Sequence, residues 1–413
     1  MNQDRVILHS DLNGFFASVE MVLNPKLRKY PVAVCGSTED RHGIVLAKNE
    51  LAKKYGIKTG MVNFEAKKRC PDLVTCLPNY EMYVKFSKLT REIYERYTNL
   101  VEPFGMDECW LDVTDNAKHR SGYEIADEIR RTVKEELGLT VSVGVSFTKV
   151  FAKLGSDMKK PDAVTVISRD NFKELVWKLP LGDLLYAGRA TVEKLSRIGI
   201  TTIGALAKYP RGAIHTLLGA NGEMLWNFAN GLDQSAVMPM DYKSEIKSIS
   251  HGVTLKADLV STFEVRCVAL ELAQEIAGKL RQNGLFAAGL ELVVRQNNLC
   301  HIVYRTKPKM PTQSAKEICT AVMQSFASRY NWELPIRSLT VRASYLRHDD
   351  IEIQTDLFSD FDQNEKQKRI DDAVWDVRDR FGERTILPAS VLLNKKMPGS
   401  STKESVLPGM MYK

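Results

Sequence analysis

The sequence predicts an α+β fold spread over several domains, because two separate stretches each follow the strand and helix order of a ferredoxin-like unit. The chain has 413 residues, too many for one ordinary core, so three or four domains are expected. The first pattern falls within residues 1–165 and the second, a β-α-β-β-α-β order, within 246–348. A helical stretch with short loops, 166–232, lies between them.

A buried strand is predicted for residues 5–11, and its last residue is a carboxylate, Asp11. A helix over 12–20 follows. A strand that delivers a carboxylate at its carboxyl end, next to a sharp turn, is a common way to present a metal ligand. Asp11 fits the cap of the following helix equally well, so this position alone decides nothing.

Two adjacent carboxylates, Asp107 and Glu108, lie between the apolar runs 101–105 and 109–113, which predict the two strands of a hairpin. Two ionised groups this close repel each other unless a cation neutralises them, and hard oxygen ligands suit Mg²⁺ or Mn²⁺. A solvated acidic turn is the simpler interpretation of the pair alone. The ferredoxin-like order favours the metal, because it lets Asp11 meet the pair on one face of a sheet.

The segments after the hairpin complete the first unit. A capping box, Ser121 with Glu124, opens a helix, and a strand over 140–146 follows it. The helix over 148–161 is stopped by a proline and leaves Lys160 beside the carboxylates. Lysines near a metal-binding carboxylate cluster are what a bound triphosphate needs.

Two later regions predict contacts with a polyanion. Gly188 lies in a turn between helices, of the helix-hairpin-helix kind whose backbone N–H groups bind a DNA phosphate. The strands of the second unit carry Arg305, Lys307 and Arg342, and a sheet with a basic face suits a nucleic-acid backbone. Ordinary helical turns and a solvated basic sheet would show the same residues. The net charge of +7 permits a polyanionic partner without requiring one.

Cysteine usage and hydropathy exclude several classes of protein. The seven cysteines are widely spread without a Cys-x-x-Cys pair, which fits a reducing cytoplasm and neither a disulfide framework nor a zinc knuckle. The amino terminus does not have the pattern of a signal peptide, and no window approaches the roughly 20 apolar residues of a membrane span. We therefore expect a cytoplasmic protein with no membrane partner.

The last segment, 349–413, begins with an acidic stretch that contains Gln354, Leu357 and Phe358. Residues 349–364 include no Lys or Arg. Two adjacent apolar residues in an acidic, poorly structured segment fit a peptide that docks on a partner.

Four stretches together resemble the Y-family DNA polymerases, the low-fidelity translesion enzymes. The resemblance runs from about residue 4 to residue 347, and it is carried by Asp11-Leu-Asn-Gly-Phe-Phe-Ala-Ser-Val-Glu20, Met106-Asp-Glu-Cys-Trp-Leu-Asp112, Ser142-Val-Gly-Val-Ser146 and Lys149-Val-Phe-Ala-Lys-Leu-Gly-Ser-Asp-Met-Lys-Lys-Pro161. It implies a multidomain right-hand polymerase. The implied domains are a ferredoxin-like palm (1–11 and 77–165), small fingers (12–76), a helical thumb with helix-hairpin-helix turns (166–232), a linker (233–245), a βαββαβ little finger (246–348) and an acidic tail with a clamp-binding peptide (349–413).

By this resemblance the chain adds deoxynucleotides to a primer 3′ end on a DNA template, with low fidelity and past damaged bases. Asp11, Asp107 and Glu108 would be its catalytic residues and would bind two Mg²⁺ ions, or Mn²⁺, with the backbone carbonyl of Leu12 as a further ligand. One ion would lower the pKa of the primer hydroxyl, and the other would hold the triphosphate and the leaving pyrophosphate.

Other positions would bind the nucleotide. Phe16 falls at the steric-gate position, where a flat ring under the sugar leaves no room for a 2′-hydroxyl. The backbone amides of Phe15 and Phe16, together with Lys160 and Lys53, would hold phosphates. Core packing accounts for part of the role of Phe15.

The resemblance also implies partners. Gln354, Leu357 and Phe358 look like the peptide by which bacterial polymerases bind the sliding clamp. The other partners would be primer-template DNA and deoxynucleoside triphosphates, and the enzyme would be a cytoplasmic monomer associated with the nucleoid.

The chain departs from the family pattern in three places. Many members carry a Tyr-x-x-Arg pair on the triphosphate, where this chain has Glu50 and Lys53, and a lysine offers a point charge without a bidentate fork. At that spot the sequence resembles polymerase V better than polymerase IV. Tyr186 replaces a usual glycine in the first thumb hairpin. Ile44 and Leu46 are larger than the small residues often found over the nascent base pair, which predicts a tighter roof and narrower lesion tolerance.

Two other functions remain open from the sequence. A nucleotidyl cyclase also builds two metal-binding carboxylates on a ferredoxin-like palm, but it needs no steric gate, thumb hairpins or clamp peptide. A catalytically silent DNA-binding or clamp-binding protein would not need all three carboxylates. Primer extension with deoxynucleotides and Mg²⁺ distinguishes the three functions.

Overall fold

The computed structural model describes residues 4–39, 41, 43–348, 361–382, 385–392 and 396–397. They fall into two compact units. The first holds the described residues of 1–36 and 44–242, and the second holds those of 37–43 and 243–401. The finer limits of palm, fingers, thumb, linker and little finger stay predictions.

The first unit contains two sheets and a helical region. Its strands are β1 (Ile7–Leu12), β2 (Val32–Cys35), β3 (Val45–Lys48), β4 (Val74–Cys76), β5 (Val101–Phe104), β6 (Glu108–Asp112), β7 (Val141–Ser146) and β8 (Val164–Ile167). Its α-helices are α1 (Phe15–Leu23), α2 (Glu50–Lys54), α3 (Asn63–Arg69), α4 (Tyr80–Glu95), α5 (Gly122–Leu137), α6 (Lys149–Met158), α7 (Phe172–Val176), α8 (Arg189–Ser196), α9 (Ile203–Lys208), α10 (Arg211–Leu218) and α11 (Ala220–Ala229).

The larger sheet has the strand order β5-β6-β1-β7-β8 and shows the predicted ferredoxin-like arrangement. Its β5–β6 hairpin and its antiparallel β1–β6 and β1–β7 pairs follow the sequence prediction. The sequence does not predict β8, which pairs in parallel with β7 and extends the sheet two residues beyond the predicted palm limit. Helix α6 lies directly on β7, because a Cβ at Gly144 would be 1.9 Å from the carbonyl oxygen of Ala152.

The remaining parts of the first unit have separate small cores. The second sheet has the order β3-β2-β4 and packs its apolar side chains with Ile57, Ala66 and Leu73. Helices α7 to α11 surround a core that includes Leu195, Ile203 and Leu225. The predicted helical region after the large sheet is therefore confirmed.

The second unit is a four-stranded antiparallel sheet covered by helices. Its elements are β9 (Ser248–Leu259), α12 (Thr262–Gln282), β10 (Leu285–Gln296), β11 (His301–Thr306), α13 (Ala315–Ala327), β12 (Ile336–His348), α14 (Phe361–Phe381) and α15 (Ala389–Leu392). The strand order β11-β10-β12-β9 and the two crossing helices give the predicted βαββαβ pattern. Helix α14 packs on α12, where a Cβ at Gly278 would be 2.4 Å from the Trp375 ring.

Two expectations from composition can be compared with the described part of the chain. No helix there is long and apolar enough to cross a membrane. All seven cysteines lie within the described residues, and none is in a disulfide.

Candidate active site

Asp11 and Glu108 lie opposite each other on neighbouring strands. The register pairs Asp11 on β1 with Glu108 on β6 and with Ser142 on β7. Asp107 is the last residue of the turn before β6, and its carbonyl accepts a hydrogen bond from the Leu12 amide at 3.0 Å. The structure therefore brings the three predicted carboxylates and the Leu12 backbone to one end of the sheet.

Two lysine ammonium groups lie among these carboxylates. Nζ of Lys153 is 3.3 Å from Oδ2 of Asp11 and 2.9 Å from Oε2 of Glu108. Nζ of Lys160 is 2.8 Å from the same Asp11 oxygen, and both lysines also contact Asp157. These nitrogens place positive charge where repulsion between the carboxylates would otherwise be greatest.

The three carboxyl groups respond differently to this environment. Burial, together with Asp11 and Glu108, raises the pKa of Asp107 to about 7. Burial and the charge of Glu108 raise the pKa of Asp11, although Lys153 and Lys160 oppose the shift. Burial alone would raise the pKa of Glu108, but His9 and Lys153 outweigh it and lower that pKa to about 2. Asp107 is thus the member of the group that most lacks a compensating cation.

The donor set suits a hard divalent cation, since it consists of carboxylate and carbonyl oxygens. Among the residues that the structure describes, no three His, Cys, Asp or Glu side chains are arranged closely enough to hold a metal ion. Asp11 and Glu108 converge on Lys153 rather than on a shared centre with Asp107. Metal binding therefore requires the carboxylates to rearrange around an ion, with the Lys153 ammonium displaced from between Asp11 and Glu108.

A buried histidine supports Glu108 from behind. His9 is fully buried on β1, its Nδ1 is 2.8 Å from Oγ of Ser156, and its Nε2 is 3.2 Å from Oε2 of Glu108. The Ser156 hydroxyl also donates to the Lys153 carbonyl at 2.7 Å, and which His9 ring nitrogen carries the proton depends on the tautomer. Its ring edge also meets Trp110 at a centroid distance of 5.2 Å. His9 therefore lies between Glu108 on β6 and Ser156 on α6.

Phe16 is held flat against another ring. Its ring stacks on Tyr83 with centroids 4.2 Å apart and planes 9° from parallel, and it meets the edge of Tyr80. The Tyr83 hydroxyl donates to Glu20 at 2.6 Å, which fixes the supporting ring. Phe15 is buried in the core, as the packing interpretation predicts.

The turn before α1 is fastened by Asn13. Its side chain donates to Oγ of Ser142 at 2.9 Å and accepts from the Asp162 amide at 2.9 Å. Gly14 follows with φ of 52°, and a Cβ there would be 2.8 Å from the Lys48 carbonyl oxygen. The N–H groups at the start of α1 have no partner within the helix, so this turn presents free donors.

The structure does not bring Lys53 to the carboxylates. Its ammonium is 3.4 Å from Glu50 one turn earlier on α2, and about half of each side chain is exposed. Ile44 is exposed and pairs through a backbone bridge with Val62, whereas Leu46 packs against the core. Of the two predicted roof residues, Ile44 is therefore the more exposed, and Leu46 is partly buried.

The predicted thumb turn has an unusual backbone. Gly188 is the N-cap of α8, with φ of −68° and open space where a Cβ would lie. Tyr186 has φ of 67°, in the left-handed region that favours glycine. Tyr186, which replaces the usual glycine, thus adopts a backbone conformation that favours glycine.

Two of the predicted DNA contacts are neighbours in the second unit. Arg305 on β11 and Arg342 on β12 are both paired in register with Glu291 on β10. Lys307 is exposed just after β11 ends. The clamp-peptide residues Gln354, Leu357 and Phe358 lie outside the described residues.

The sequence interpretation missed four residues that shape the site: His9, Asn13, Lys153 and Asp157. For Lys153 a signal exists, because Lys149, Lys153 and Ser156 follow helical spacing along one side of α6. A polar stripe on the side of a helix that faces a sheet indicates a buried polar site. For His9 and Asn13 the decisive contacts are with distant strands and loops, which spacing along the chain does not reveal.

Two family models match the chain. The "impB/mucB/samB family" model matches residues 10–157, and the "impB/mucB/samB family C-terminal domain" model matches residues 246–357. The first match contains all three carboxylates, and the second contains Glu291 and the two arginines.

Curated relatives match nearly end to end. DNA polymerase IV of Acetivibrio thermocellus is 47% identical over 379 residues, which are 92% of this chain and 95% of the relative. DNA polymerase IV of Clostridium acetobutylicum is 32% identical over 95% of this chain and 99% of the relative. DNA polymerase IV 1 of Bacillus subtilis is 34% identical over 97% of this chain and 96% of the relative.

A solved structure shares the fold. It is described as a Y-family DNA polymerase chimera, and it superposes with a TM-score of 0.73 at 21% identity, over 83% of this chain and all of that chain. At this identity the likeness concerns the fold alone, which agrees with the predicted right-hand architecture.

Proposed function

Because this chain belongs to the impB/mucB/samB family and is a translesion DNA polymerase, we propose that Asp11, Asp107 and Glu108 are its catalytic carboxylates. Its substrates are DNA and nucleotides, and the nucleotidyl cyclase and the catalytically silent alternatives are wrong. The observation that carries the proposal is the register of Asp11 with Glu108, whose carboxylates share the Lys153 ammonium.

Polymerases of this family are nucleotidyltransferases that use divalent metal ions, and we infer two Mg²⁺ ions, or Mn²⁺, at this site. Asp11, Asp107, Glu108 and the Leu12 carbonyl would hold them. When bound, the ions would make the primer hydroxyl a better nucleophile and neutralise charge on the triphosphate. The raised pKa of Asp107 supports this assignment, because a carboxyl group without a cation in a partly buried site is costly to ionise.

Lys160 and the start of α1 would bind the triphosphate. The Lys160 ammonium contacts Asp11 through a single hydrogen bond that a phosphate oxygen can replace. Asn13 fixes both the turn that presents the Phe15 and Phe16 amides and the loop that follows Lys160. Lys53 would reach only the far end of the triphosphate, after leaving Glu50.

Phe16 would exclude ribonucleotides. A ring backed by the parallel Tyr83 ring cannot retreat when a sugar lies against it. A 2′-hydroxyl would then meet a rigid surface, whereas a deoxyribose would fit.

Other proposed contacts lie away from the chemistry. Gly188 would hold a DNA phosphate through backbone N–H groups, and Arg305, Lys307 and Arg342 would contact the DNA backbone without reading its sequence. The segment around Gln354, Leu357 and Phe358 would bind the sliding clamp. The enzyme would act as a cytoplasmic, nucleoid-associated monomer.

Primer extension with deoxynucleotides and Mg²⁺ tests the active-site assignment. We expect Asp107→Ala to lower the extension rate by about a thousandfold, since several kcal/mol of transition-state stabilisation depend on bound metal. The exposed Asp170 lies in a turn of the same unit, so Asp170→Ala is the matched control and should extend at the wild-type rate. Extension at the wild-type rate by folded Asp107→Ala protein would contradict the assignment of Asp107 as a catalytic carboxylate.

A further inference from the structure

Helices α12 and α13 pack on one face of the sheet in the second unit, and they leave the opposite face uncovered. Along each strand, buried residues such as Leu290, Leu292, Leu339 and Val341 alternate with residues on the opposite face. We call this second set the outward face: Ser248, Ser250, Gly252, Thr254, Glu291, Val293, Arg295, His301, Val303, Arg305, Ser338, Thr340 and Arg342. Small hydroxyl residues and arginines dominate it, which suits a sugar-phosphate backbone.

Glu291 is the one carboxylate among these outward positions, all of which are described. It lies between Arg305 and Arg342 in a single row across three strands. Its Oε1 accepts a hydrogen bond from Nε of Arg305 at 3.0 Å, and its Oε2 is 3.3 Å from Nη1 of Arg342. The carboxylate therefore neutralises part of the charge of the two arginines that we assign to DNA.

The exposures of the three side chains differ. Arg305 is 77% exposed and Arg342 44% exposed, whereas Glu291 is only 16% exposed beneath them. Ion pairs whose cations are this exposed contribute little to stability, typically about 0–1 kcal/mol. We therefore expect Glu291 to affect mainly what the two guanidinium groups bind.

The arginines keep free donors while they are paired. Arg305 uses Nε and Arg342 uses Nη1, so Glu291 does not engage the remaining N–H groups of either guanidinium group. A phosphate bound by either arginine would lie within about 7 Å of the Glu291 carboxylate and would be repelled by it. In water-like screening this repulsion weakens binding by about threefold for each phosphate.

We propose that Glu291 weakens the hold of this face on DNA, so that the enzyme releases its primer-template sooner than the two arginines alone would allow. The proposal rests on the proposed contacts of Arg305 and Arg342 with the DNA backbone. The competing possibility is that Glu291 aims the arginines at phosphates, in which case its removal would weaken binding.

The test measures the affinity of the full-length enzyme for a primer-template duplex by fluorescence anisotropy at several KCl concentrations. We expect Glu291→Gln to bind about threefold to tenfold more tightly at low salt. The slope of log affinity against log salt should steepen by about 0.9, because one more phosphate charge is neutralised. Glu317→Gln, which makes the same change at an exposed position of α13 on the other side of the sheet, should match the wild type.

Variants of the arginines separate failure of this proposal from failure of the DNA assignment. If Arg305→Ala and Arg342→Ala bind DNA like the wild type, the proposed DNA contacts are wrong and this inference fails with them. If both bind more weakly and Glu291→Gln binds no more tightly than the wild type, only the inference about Glu291 is overturned. Tighter binding without a steeper salt slope would overturn it as well, since the effect would not be electrostatic.

Discussion

Replacing Asp107 with asparagine should stabilise the metal-free enzyme at alkaline pH. Burial and the neighbouring Asp11 and Glu108 raise the pKa of Asp107 from 3.8 to about 7. This rise of about three units is equivalent to about 4 kcal/mol if nothing relaxes, at about 1.4 kcal/mol for each unit. Water entry and side-chain movement lower the cost, so we expect Asp107→Asn to gain about 2 kcal/mol.

The sign of the pH dependence follows from the direction of the shift. The folded protein holds the Asp107 proton more tightly than the unfolded chain does, so stability falls as pH rises from about 4 to about 7 and the full cost is present above pH 7. The gain of Asp107→Asn should therefore be largest at pH 8.5 and about a third as large at pH 5.

Thermal unfolding with a chelator present measures this gain. At pH 8.5 we expect the midpoint of Asp107→Asn to rise by about 4–8 °C, on the scale of about 2–4 °C for each kcal/mol. Asp170→Asn, the same change at an exposed position, should leave the midpoint unchanged. Adding Mg²⁺ should stabilise the wild type more than Asp107→Asn, because only the wild type has the full carboxylate set. An equal gain at both pH values, or a loss of stability, would refute the charge argument.

Three further predictions concern the substrate and the partners. Phe16→Ala should raise ribonucleotide incorporation about a hundredfold, with little change in deoxynucleotide incorporation. Single-nucleotide insertion assays that show unchanged discrimination between ribonucleotides and deoxynucleotides would contradict the proposed role of Phe16. Ile44→Ala should speed extension past bulky template adducts several-fold. The Ile44→Ala/Leu46→Ala double variant should be no faster, because Leu46 packs on the core. Equal rates for the wild type and both variants would contradict the prediction of a tighter roof over the nascent base pair. Deleting 354–358 should leave distributive synthesis intact and abolish stimulation by the clamp, whereas equal stimulation would exclude the docking peptide.

Much of the fold follows from local patterns in the sequence. The Ser121–Glu124 capping box forms as predicted, with the Ser121 amide donating to Glu124 at 2.8 Å. The hairpin around Asp107 and both ferredoxin-like strand orders also follow from alternation and turn residues. These features depend on neighbours along the chain, which is why sequence patterns reveal them.

Other features depend on contacts between distant segments. Strand β8 has only four residues, and its parallel pairing with β7 is a property of the sheet rather than of its own sequence. The ammonium of Lys153 reaches Asp11 and Glu108 because α6 lies directly on β7, an approach that Gly144 permits. The family resemblance predicts that Lys53 lies near the triphosphate. The sequence does not reveal that the Lys53 ammonium pairs with Glu50.

The central claim is that Asp11, Asp107 and Glu108 bind two divalent ions. It is tested most directly by counting Mn²⁺ ions, by electron paramagnetic resonance, in a complex of the enzyme with a dideoxy-terminated primer-template and the next deoxynucleotide. We predict two tightly bound Mn²⁺ ions for the wild type and for Asp170→Ala, and fewer than two for Asp11→Asn and Asp107→Ala. Two equally tight ions in both active-site variants would contradict the claim.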